Sequence, residues 1–82
     1  MDDDAIQSRI DTLEQEEARL RKDEESASLD ALPADRDRLA AIKVELDQLW
    51  DLLRQRRALR SAGRDPDDAQ LRDANTVEKY LG

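Results

Sequence analysis

The stretch Leu39-Ala-Ala-Ile42-Lys-Val-Glu-Leu46-Asp-Gln-Leu49-Trp-Asp-Leu-Leu53 decides how the chain folds. Leu39, Ile42, Leu46, Leu49 and Leu53 recur at spacings of three and four without interruption, which is one face of an α-helix. The helix predicted around this stripe runs from about Ala34 to Ala62. Pro33 suits its start, because the N–H that proline lacks would be unpaired there anyway. The basic run Arg54-Gln-Arg56-Arg57-Ala-Leu-Arg60 places cations where the helix macrodipole favours them. Gly63 follows as a C-terminal cap.

Working upstream, Ile6, Ile10, Leu13, Leu20 and Ala27 form a second, narrower stripe and predict a helix from about Asp3 to Ala27. Asp2, Asp3 and Asp4 sit where a helix N-terminus favours negative charge. Glu17 and Glu24 fall on the same seam, so this helix would be a poor coiled-coil strand alone. Between the helices, Ser26, Ser28, Asp30 and Pro33 weaken helical structure, and residues 28–33 read as a turn with Leu29 and Leu32 closing the end of the core.

A turn this short makes the helices antiparallel neighbours. Folding about residue 31 places Leu13 opposite Leu49, Ile10 opposite Leu53 and Leu20 opposite Ile42. The same register sets Glu24 opposite Arg38, Asp2 and Asp3 near Arg60, and Ile6 near Arg56. Such exposed pairs set orientation more than stability.

Downstream, Asp65-Pro66-Asp67-Asp68 combines an N-cap, a first-position proline and acids, and predicts a short helix to about Arg72. Asn75-Thr-Val-Glu78 has the spacing of a capping box and opens a last turn ending in Tyr80-Leu81. The expected fold is all-α: an antiparallel hairpin over 1–63 and a short helical tail over 64–82.

Two helices leave apolar surface over. Leu52 and Leu59 point well over 90° from the main stripe, and Trp50 and Val44 flank it. Either the tail (Leu71, Val77, Tyr80, Leu81) folds back over that surface or another subunit does. The favoured architecture is a homodimer in which two hairpins make a four-helix bundle. Trp50, Leu52, Leu59 and Tyr80 are then the candidate interaction residues.

Composition narrows the function. The 82 residues include no Cys and no His, which removes thiol chemistry and the commonest general base and metal ligand. The two glycines, Gly63 and Gly82, make no phosphate-binding loop. A net charge of −7 disfavours nucleic acid and anionic membranes. The acidic N-terminus lacks the layout of a signal peptide, and no apolar run approaches a membrane span, so a cytoplasmic protein is expected. Glu17, Glu24 and Glu45 could offer only an all-oxygen cation site; pairing with Lys43 and Arg38, or exposure, is the simpler reading. Arg54, Arg56, Arg57 and Arg60 are candidates for an anion or partner contact, although Asp2 and Asp3 lie in reach.

Glu45 to Arg60 with its Trp-Asp-Leu-Leu-Arg-Gln-Arg-Arg core, Gly63-Arg-Asp-Pro-Asp67, Val77-Glu-Lys-Tyr80, and the acidic opening with Ile6 and Ile10 together resemble the actinobacterial domain of unknown function 2630 family. The resemblance covers essentially the whole chain. It implies a small bacterial cytoplasmic protein and carries over no catalytic residue. The expected function is a non-enzymatic structural or protein-interaction module, without cofactor, metal or evident small-molecule substrate. Its partners are a second copy and possibly another protein. The alternative is a small nucleic-acid-associated regulatory factor using the Arg54–Arg60 cluster.

Overall fold

A computed structural model describes residues 1–26, 33–73, 75 and 77. The first helix, α1, runs Asp3–Ser26. Its start is set by Asp2, whose side chain accepts the Ala5 N–H at 2.8 Å while its carbonyl accepts that of Ile6 at 3.0 Å. That is an N-cap, satisfying donors that the first turn leaves open. Asp2 therefore caps its own helix and leaves the arginines to Asp3.

The second helix, α2, runs Pro33–Ser61 and begins on the proline. It ends at Gly63, which holds φ at +71°. The Gly63 N–H donates to Arg60 O at 3.1 Å and the Arg64 N–H to Leu59 O at 2.8 Å, the paired bonds of a Schellman motif. The expected turn at 28–32, with Leu29 and Leu32, lies outside the described residues.

α1 and α2 pack along one another as a hairpin. Ile6, Ile10 and Leu13 of α1 meet Ile42, Leu49, Leu52 and Leu53 of α2 in the core. Ion pairs report how the two helices sit against each other. Arg60 meets Asp3 as expected, but Arg38 pairs with Glu16, eight residues before the Glu24 expected opposite it. The side chain of Glu24 lies outside what the structure describes.

The tail departs from expectation. After the N-cap at Asp65 comes a single 3₁₀ turn, Pro66–Asp68, not a helix to Arg72. Ala69 closes it by donating to Pro66 O at 3.1 Å, then turns extended with ψ at 140°. The chain stays extended because α2 takes its backbone groups. Gln55 Nε2 donates to Gln70 O at 2.8 Å, and Gln48 Nε2 donates to Arg72 O at 3.2 Å. Of the expected last turn, Asn75 and Val77 are helical, with the Val77 N–H on Asp73 O at 3.2 Å. Val77 is fully buried. Tyr80 and Leu81 lie outside the described residues.

The tail thus covers the end of the hairpin away from its turn. Nearer the turn, among the described residues, only α1 and α2 contribute, and Leu20, Leu39 and Leu46 stay half-buried. The molecule measures 53 × 25 × 15 Å over its Cα atoms, so it is elongated along the helices.

Candidate interaction surface: a clasped flank and an open flank

Helix α2 uses two faces. Ile42, Leu46, Leu49 and Leu53 face α1. Gln48, Asp51, Leu52 and Gln55 follow the same three-and-four spacing one quarter-turn or more away, Arg56 lies between the two faces, and this second stripe receives the tail.

Arg56 is the centre of the clasped flank. Its side chain is only 7% exposed although it carries a charge. Nε donates to Asp3 Oδ1, and Nη1 donates to Pro66 O at 3.2 Å and Asp67 Oδ1 at 2.9 Å. One guanidinium therefore ties together the start of α1, the end of α2 and the 3₁₀ turn, using the planar fork that lysine lacks. Asp3 is shared, its other oxygen accepting from Arg60 Nη2 at 3.0 Å. The Arg56 hydrogen bond is the main cause holding the Asp3 carboxyl below its usual pKa, with Arg60 adding to it against partial desolvation. Asp3 and then Asp67 correspondingly raise Arg56.

Two bidentate pairs extend this flank toward the turn. Arg9 grips both oxygens of Glu45, at 2.6 and 3.1 Å, and Arg38 grips both of Glu16. Each arginine lowers its carboxylate's pKa chiefly through the hydrogen bond. A cleft of about 810 Å³ opens among these groups, floored by Leu49, Leu52 and Ala69. Its cations Arg9 and Arg56 already have carboxylate partners. No group of acids able to hold a metal ion occurs among the described residues. Glu17 pairs with Arg21 at 3.6 Å within its own helix.

The sequence did not single out Asp51. It is 4% exposed, accepts from Gln55 Nε2 at 2.9 Å and lies 3.4 Å from Arg72 Nε and 3.9 Å from Arg54. Its signal is positional: Gln48, Asp51 and Gln55 form a polar helical stripe beside Leu52, which suits a face that must bind backbone as well as bury apolar surface.

The expected arginine cluster is divided. Arg56 and Arg60 are committed to Asp3, whereas Arg57 is exposed and Arg54, exposed as well, reaches within 3.9 Å of Asp51. Burial therefore singles out Arg56, beside the tail, from its neighbour Arg57. The expected apolar patch is divided as well. Leu52 is 7% exposed and belongs to the core, Leu59 is half-buried, and Trp50 remains 38% exposed. Tyr80 lies outside the described residues. Trp50 and Lys43, Arg54 and Arg57 around it form the open flank.

The profile of the family described as "Protein of unknown function (DUF2630)" matches residues 2–82. The chain belongs to the DUF2630 family. Relatives include "Uncharacterized protein Rv0898c" of Mycobacterium tuberculosis and "Uncharacterized protein Mb0922c" of Mycobacterium bovis, each 56% identical over 48 residues. That match covers 58% of this chain and 55% of each relative, so it spans little more than half the length of either. No solved structure matches this DUF2630 chain. No helix among the described residues is long and apolar enough to cross a membrane.

Proposed function

We propose that this DUF2630 chain is a non-enzymatic interaction module that works in the cytoplasm by helix–helix association. One observation carries the reading: Leu39 and Leu46 remain half-buried on the helix that exposes Trp50, and Leu20 of α1 is half-buried as well. Among the described residues, the hairpin leaves this leucine stripe half-covered, which is apolar surface that a further helix can bury. An exposed tryptophan is also the residue type most enriched at binding hot spots.

The nucleic-acid reading has less behind it. Arg56 and Arg60 are held by carboxylates of their own chain, which removes half of the cluster that would have met phosphates. No enzymatic reading gains support from the cleft, whose charged side chains are matched to one another.

The test is photocrosslinking in a cell of the native host. A photoreactive residue at position 50 should yield discrete covalent adducts, whereas one at the exposed Ser8 should not. An absence of adducts at position 50 would contradict the proposal.

A further inference from the structure

We infer that the occupant of the open flank is a second copy of this chain, with the acidic strip Asp4, Asp11 and Glu14 of each protomer seated against Lys43, Arg54 and Arg57 of the other around Trp50. The inference rests on the interaction-module reading and deepens it by naming the partner.

The basic strip and Glu14 lie on the same side of the hairpin, with Asp11 and Asp4 about 60° and 80° further round α1. On α2, Trp50 is about 140° around the helix from Glu45 and about 120° from Arg38, the two residues that pair across to α1 on the clasped side. On α1, Glu14 lies about 140° from Arg9 and about 160° from Glu16, their partners. The flank carrying Trp50 and Glu14 is thus the one turned away from the clasped side. Lys43, Trp50 and Arg57 recur every seven residues, with Arg54 one turn from Trp50, and all four are exposed. Asp47 also lies on this side, half-buried. Asp4, Asp11 and Glu14 are exposed too, Asp11 accepting from Gln7 Nε2 at 3.1 Å.

The charge complement of the basic strip therefore lies on this flank of the same chain and around its outer edge. A two-fold axis satisfies both strips at once, since each protomer gives one and takes the other. With that axis along the helices every residue keeps its height. Inside the hairpin, Asp3 is level with Arg56 and Arg60, and Arg9 with Glu45. The same levels bring Asp4 to Arg54 and Glu14 to Lys43 of the second copy. The apolar surface that runs along α2 from Trp50 through Leu46 to Leu39 is then covered. The charges fix the orientation and the apolar centre supplies the affinity.

Charge-swapped variants test this. One carries Lys43→Glu, Arg54→Glu and Arg57→Glu; the other carries Asp4→Lys, Asp11→Lys and Glu14→Lys. Both remain helical by circular dichroism, and each alone has the mass of a monomer by light scattering, its dissociation constant weakened at least tenfold. Mixed in equal amounts they recover the dimer mass, and Trp50 emission moves to the blue as in the wild type. Trp50→Ser, a single exposed change, also loses the dimer while keeping the fold. Dimerisation of either swapped variant alone, or a mixture that stays monomeric, overturns the inference. Adducts at position 50 to a different protein, with the wild type monomeric, would also overturn it while leaving the interaction-module reading intact.

Discussion

Replacing Gly63 with alanine puts a Cβ on a backbone held at φ +71°, with nothing within 4 Å of it. The cost is conformational alone, about 1 kcal/mol, and Gly63→Asn should recover part of it because asparagine tolerates this region. Chemical denaturation of both variants checks the ranking. Leu52 and Trp50 make a second contrast on one turn of one helix. Leu52→Ala empties a core position and should cost about 2–4 kcal/mol. Trp50→Ala, at dilutions where the chain is monomeric, should change stability by no more than about 0.5 kcal/mol. Equal losses at the two sites would show that the tail does not cover Leu52. The pairing of Arg60 with Asp3 was legible in the sequence, because a short turn and opposite charges constrain the same register. The burial of Arg56 was not, since no local pattern announces that Pro66 O and Asp67 converge on it.

At the scale of elements, the helices were readable because periodicity, a proline start and a glycine stop agree with each other. The tail was only half readable. Asp65 and Pro66 specify where a turn begins, but its length is set by tertiary bonds from Gln48 and Gln55 to the carbonyls of Arg72 and Gln70, twenty-four and fifteen residues further on. Propensity yielded to those bonds. Likewise, the alternation between tail and second subunit as the cover of Leu52 could not be resolved from spacing, since either surface satisfies it. Gln55→Ala should release the tail while leaving α1 and α2 paired. Hydrogen exchange reports it directly: the Gln70 amide, which donates to Gln55 Oε1 at 3.4 Å, should exchange faster while amides of the α2 centre stay protected.

At the scale of the whole molecule, Asp3, Glu16 and Glu45 link the hairpin to pH. All three carboxyls are held below their usual pKa by arginine hydrogen bonds. Their stabilisation is complete above the ordinary carboxylate range, about pH 5, and is lost as pH falls through the lowered values. Melting temperature should therefore drop on acidification below about pH 4, and the drop should be smaller in Asp3→Asn/Glu16→Gln/Glu45→Gln, which begins less stable. The molecule is also long and thin, with one flank closed by its own tail and the other carrying Trp50, its only tryptophan. That residue makes the central claim measurable in unmodified protein. Light scattering and Trp50 emission, followed together across a dilution series, test it most directly. The expected result is a mass rising from 9.4 kDa toward twice that value with a blue shift of emission over the same concentrations. A mass that stays at 9.4 kDa with unchanged emission throughout would contradict it.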